Sequence, residues 1–156
     1  RSEMEKILYE VNGGTLYIKG VSKDKCIIRE IDGKEIEYPL SSRKIMNQSC
    51  ICFGSTLEGR LEGIGELTGI KYKAPVLISE YQRIIMFPTL SHKENECAWI
   101  SLSHVVDVIP TEKGVAIMFT DRSIGEFNVS KYILQNQMAK AKSIYFELFN
   151  REKKDI

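Results

Sequence analysis

Residues 32–48 can be laid on residues 121–137 without a gap, and this limits the fold of the 156-residue chain more than any other feature. Identical residues meet at Asp32/Asp121, Glu37/Glu126, Ser41/Ser130, Asn47/Asn136 and Gln48/Gln137, while Tyr38 faces Phe127 and Leu40 faces Val129. In each copy an alternating apolar stretch runs into a serine, and a helical pattern follows. Alternation with period two buries one face of a strand. A serine ahead of a helix accepts a hydrogen bond from an orphan amide of the first turn. Each copy therefore reads as strand, serine cap, helix. Residues 7–19 and 76–88 also correspond as earlier hairpins, with an extra stretch of about twenty residues, including Cys97 and Ile109, inserted in the second half. The expectation is one α+β domain over residues 1–156, mainly antiparallel, built as two pseudo-repeat halves of approximately 6–69 and 74–150 around one core.

Between these landmarks the elements follow from local chemistry. Residues 6–21 place β-branched and aromatic residues on both sides of Asn12-Gly13-Gly14, which predicts a hairpin about a glycine turn. Residues 26–31 and 34–40 predict a second hairpin about Asp32-Gly33, with Ile36, Tyr38 and Leu40 on one face. Ser41 or Ser42 then caps a helix running to about Gly54. Glycines at 54, 59, 63, 65 and 69 allow only a short helical turn over 55–61 and leave the region beyond Gly59 open between loop and helix. Strands are expected at 75–79, 84–87, 99–109, 115–120 and 123–129. After Ser130, the apolar residues Leu134, Met138, Ala141, Tyr145 and Leu148 recur at helical spacing and make one buried face.

Composition narrows the function classes. No apolar run approaches the ~18 residues that cross a bilayer, and no signal peptide opens the chain. The chain starts at Arg1 rather than Met, which points to a start lying upstream, and its first residues carry no functional reading. Cys50 and Cys52 stand as C-x-C rather than in the C-x2-C or C-x4-C spacing of zinc sites, and neither His92 nor His104 belongs to an H-x3-5-H pair. Cys26, Cys50, Cys52 and Cys97 are therefore read as reduced thiols acting as small hydrophobes, with neither metal nor cofactor implied. The net charge is only +1, but the charge is unevenly spread. Residues 41–73 hold 5 basic and 3 acidic side chains, and residues 131–156 hold 6 and 3, so both helical segments are locally positive. Such a local surface attracts phosphates even on a near-neutral protein.

The wording of two segments goes further. Ser49-Cys50, Phe53-Gly54-Ser55, Gly59-Arg60, Gly63, Lys73 with Pro75, Phe87-Pro88-Thr89-Leu90-Ser91 and Cys97 with Trp99-Ile100-Ser101 together resemble the ComK family of competence transcription factors, over roughly residues 9–146. The resemblance implies a cytoplasmic, oligomeric activator of DNA-uptake genes. It would recognise paired A/T-rich promoter boxes largely through the minor groove, without a catalytic step, and act together with RNA polymerase. Family members carry a further C-terminal tail with an aromatic-Met-Leu-Tyr-Pro type signal for an adaptor of the Clp protease. This chain stops at Ile156 after Lys153-Lys154-Asp155, so that partner is not expected. Cys52 also stands where the family pattern has an aromatic.

A narrow A-tract groove has enhanced negative potential and calls for Arg or Lys delivered into it. The candidates are Arg60 in its glycine-rich setting, Arg43 and Lys44 in the first turn of the first helix, Lys71 and Lys73, and Lys131, Lys140 and Lys142 on the last helix. Arg60 could instead pair with Glu58 or Glu62 in solvent, and Trp99 is assigned to packing. Two other readings compete. One is a ComK-like modulatory module without strong DNA binding, and the other a small thiol-dependent enzyme using Cys50 or Cys97.

Overall fold

Apolar residues on both faces of a strand require cover on both sides, and the central strands of this chain are apolar on both faces. The computed structural model describes residues 9–154, with side chains to residue 150. Its strands are β1 (Thr15–Ser22), β2 (Lys25–Glu30), β3 (Glu35–Tyr38), β4 (Val76–Ser79), β5 (Ile84–Pro88), β6 (Ala98–Ser101), β7 (Val105–Pro110), β8 (Val115–Phe119) and β9 (Ile124–Phe127). Its helices are α1 (Ser42–Cys52), α2 (Leu57–Thr68) and α3 (Lys131–Lys154). A six-stranded antiparallel sheet has the order β3-β2-β1-β6-β5-β4, and a three-stranded one the order β7-β8-β9.

Alternate residues of the large sheet feed two separate cores. Ile18, Ile28, Val76, Ile78, Met86 and Trp99 pack with Ile45, Met46, Cys50 and Leu57 of α1 and α2. Leu16, Tyr17, Leu77, Ile85, Phe87 and Ile100 pack against the small sheet and α3, through Val115, Ile117, Phe119, Phe127, Leu134, Ala141 and Phe149. The large sheet is thus the middle of three layers. Trp99 is fully buried, as expected of a core residue.

Both serine caps form. Ser41 Oγ accepts from the Lys44 amide at 3.2 Å and Ser130 Oγ from the Ile133 amide at 3.1 Å, each from the third residue onward. Each of these helices follows a three-stranded antiparallel meander, β1-β2-β3 before α1 and β7-β8-β9 before α3.

The structure departs from expectation in two places and forms a helix in a third that the sequence left open. Among the described residues the predicted first hairpin is not formed. Asn12 makes a side-chain turn with Gly14 at 2.8 Å, but the Val11 amide is drawn to Ser49 Oγ of α1 at 3.1 Å, and β1 pairs with β2 instead. Residues 6–8 of that hairpin lie outside the described residues. The region beyond Gly59 is helix, capped by Thr56 Oγ1 on the Gly59 amide at 3.0 Å and closed by Gly69 in the left-handed conformation. Burial of Leu57 and Ile64 overrides the ~1 kcal/mol that each internal glycine costs. Residues 99–109 are not one strand, because a 3-10 turn at Leu102–His104 transfers the chain from one sheet to the other. His104 pins that turn, with Nε2 2.6 Å from Gly13 O and Nδ1 2.6 Å from Thr120 Oγ1.

Candidate nucleic-acid interface

Gly69 ends α2, and Pro75 removes an amide just before β4, so residues 70–74 must turn without regular pairing. Lys71, Tyr72 and Lys73 form the outer part of this loop. Ala74 anchors its inner end in a small apolar cluster with Ile64 of α2 and Ile144 of α3. Lys73 has φ +50°, a conformation that non-glycine residues seldom adopt and that neighbours must enforce. The enforcing contacts come from α3. Gln137 Nε2 donates to Lys73 O at 2.7 Å, and Lys140 Nζ donates to Tyr72 O at 2.9 Å.

Tyr72 is 71% exposed and has two ammonium groups near its ring, Lys73 Nζ 5.6 Å and Lys140 Nζ 5.8 Å from the centroid. Burial first, and then the nearby Lys73 charge, lowers the Lys140 pKa. An anion between the two lysines would relieve that repulsion. The groove between the loop and α3 has a volume of about 490 Å³ and is lined by Tyr72, Lys73, Lys140, Ile133, Asn136 and Gln137, among others, with no carboxylate. An aromatic face flanked by cations is suited to a nucleic-acid backbone and to stacking.

The other candidate residues lie in four different settings. Lys131 shares a groove of about 530 Å³ with Lys73, Lys113 and Glu112, and one of about 370 Å³ with Lys142 and Asp107 of β7, so lysines outnumber carboxylates in both. Arg43 is engaged by Glu58, with Nη2 2.8 Å from Oε1, and its Nε lies 3.4 Å from His92 Nδ1. Glu58 and His92 line a groove with Lys71 and Lys73, where Glu62 and Glu66 make one wall acidic. Lys44 is exposed on α1. Arg60 is turned inward. Its Nη1 donates to Leu77 O at 2.6 Å and its Nη2 to Phe53 O at 3.1 Å, so it pairs with backbone carbonyls rather than with Glu58 or Glu62. Leu77 belongs to the edge strand β4, and the guanidinium covers that edge.

Two residues of this surface escaped the sequence reading. Tyr72 carried a signal, an aromatic between two lysines. Gln137 carried one as well, its identity with Gln48 in the repeat.

A family model described as ComK protein matches residues 6–153. The chain belongs to the ComK family. The competence transcription factor of Bacillus subtilis (strain 168) is 32% identical over 133 residues, covering 83% of this chain and 69% of the relative. No solved structure matches. The ComK family is one of transcription factors, not enzymes, and the thiols agree with that. Burial pushes Cys26 up to about 12 and Cys50 and Cys97 to about 11, so none is poised as a thiolate. Among the described residues no helix is long and apolar enough to cross a membrane.

Proposed function

We propose that this ComK-family chain is a DNA-binding activator of competence genes that reads A/T-rich promoter boxes largely through the minor groove. The observation that carries the proposal is the Lys71-Tyr72-Lys73 loop held by Gln137 and Lys140, whose Tyr72 and Lys73 line with Lys140 a groove that has no carboxylate. A loop of this size suits a narrow, electronegative groove, where a helix would not fit. Lys131 and Lys142 extend the cationic surface along α3 for flanking phosphates. The acidic wall formed by Glu62 and Glu66 repels phosphate on the other side of Lys71, and so favours one orientation of the duplex. Arg43 and Lys44 serve as outlying phosphate contacts, and Arg60 as a support that ties the first turn of α2 to Phe53 and to the edge strand β4.

The matching meander-cap-helix order in residues 15–52 and 105–154 supports an internal duplication within a single domain. Paired boxes, self-association of the protein and contact with RNA polymerase in the cytoplasm belong to the same proposal. The test is fluorescence anisotropy on a duplex with two A/T boxes against a G/C-rich duplex of equal length, at two salt concentrations. Preferential, salt-sensitive binding to the first duplex is expected. Absence of binding by folded protein would favour the modulatory alternative, to which the near-neutral net charge gives some support.

A further inference from the structure

Gln137 is 1% exposed on a helix whose neighbouring polar residues face solvent, and a buried primary amide must find partners for its donors. It finds two. Nε2 donates to Lys73 O at 2.7 Å and to Pro88 O at 2.8 Å. Both acceptors are carbonyls, so the NH2 group and not the oxygen must point at them. One side chain thus ties the outer loop to the last residue of β5, a central strand of the large sheet. Pro88 brings no amide of its own, and its carbonyl pairs with the Gln137 amide.

We infer that Gln137 is the positioning residue of the DNA-reading loop: it holds Lys73 in its left-handed conformation and sets where Lys71, Tyr72 and Lys73 stand relative to the sheet. Two observations converge on this role, and one expectation follows from them. Lys73 has φ +50° without being glycine. Gln137 and Lys140 are three residues apart on one face of α3 and hold consecutive carbonyls, those of Lys73 and Tyr72. Lys140 is also placed to meet a phosphate and would be drawn from Tyr72 O when it does, which leaves Gln137 as the clamp that persists in a complex. The inference rests on the loop being the DNA contact.

The experiment compares the full chain with Gln137→Met and with Lys73→Gly. Methionine keeps the volume and removes both donors, while glycine keeps the backbone conformation and removes the charge. Binding to A/T-box and G/C-rich duplexes is measured beside hydrogen exchange across residues 69–75. Gln137→Met is expected to melt cooperatively, to exchange faster in that segment alone, and to lose about tenfold of its A/T preference, with residual salt-dependent binding retained. Lys73→Gly is expected to weaken binding and reduce its salt slope. If Lys73→Gly weakens binding while folded Gln137→Met keeps its A/T preference, the role of Gln137 is refuted and the interface stands. If neither variant changes binding, the interface itself is refuted. If Gln137→Met does not fold, the two side-chain amide hydrogens of Gln137 in the unmodified protein decide. Slow exchange, with shifts induced by the A/T duplex only, supports the role, and rapid exchange in the free protein overturns it.

Discussion

Replacing Arg60 by alanine removes two hydrogen bonds from a charged donor, to Leu77 O at 2.6 Å and to Phe53 O at 3.1 Å. Hydrogen bonds to charged groups contribute about 1.5–3 kcal/mol each. Arg60 is only partly buried, and its Nε has no partner among the described residues, so the lower end of that range applies and the sum is about 3 kcal/mol. In a domain of this size that corresponds to a fall in melting temperature of about 6–12 °C. Arg60→Lys should recover less than half of the loss, because an ammonium lacks the fork that reaches two carbonyls. Thermal melts followed by circular dichroism measure the change, and A/T-duplex titration of both variants at a temperature where they are folded completes the assay. Comparable DNA affinity with a large loss of stability is expected. A melting temperature within about 2 °C of the parent, together with binding about tenfold weaker, would refute the inward role and return Arg60 to the DNA surface.

Lys71→Ala combined with Lys73→Gly should make the slope of log K against log salt shallower by about 2, one for each phosphate that is no longer neutralised, as read by anisotropy over a salt series. Gly20→Ala should destabilise by about 3 kcal/mol in chemical denaturation, because the new Cβ would stand 2.2 Å from Asn95 O and 2.7 Å from Cys97 O, both backbone atoms. Glu58 and Asp121 are held below the usual carboxylate range, chiefly by hydrogen bonds from Arg43 and Ser123 respectively. Their stabilisation is complete above the unfolded pKa and is lost as pH falls through the lower folded values. Melting temperatures measured across pH should therefore show Asp121→Asn less stable at neutral pH, with the difference closing below about pH 4. Alkylation followed by mass spectrometry should modify exposed Cys52 alone in the native protein and all four cysteines after denaturation. Fast native labelling of Cys50 or Cys97 would revive the thiol-enzyme alternative.

Where periodic burial dictates structure, the elements were legible in the sequence. Ile36 and Tyr38 alternate along β3, Ser41 and Ser130 cap their helices, and the stripe from Leu134 to Leu148 lies on the core side of α3. Local chemistry sufficed there because each signal acts within a few residues. Glycine-rich α2 was not legible beyond Gly59, because its helix is held by packing that outweighs propensity. The hairpin expected at Asn12 failed for a related reason, since the competing acceptor, Ser49 Oγ, lies 38 residues away.

The candidate site divides in the same way. From residue type and order alone came the family, the α+β class, and the lysines at 71, 73, 131, 140 and 142 as the cationic supply. Only the tertiary structure could decide which of them share a surface and which cation is used for support. Arg60 and Gln137 are both committed to backbone carbonyls, on Phe53 and Leu77 in one case and on Lys73 and Pro88 in the other. Every residue has a carbonyl, so no residue type marks the acceptor. Such a partner is specified by where the folded chain brings it, and by nothing the sequence displays at that position.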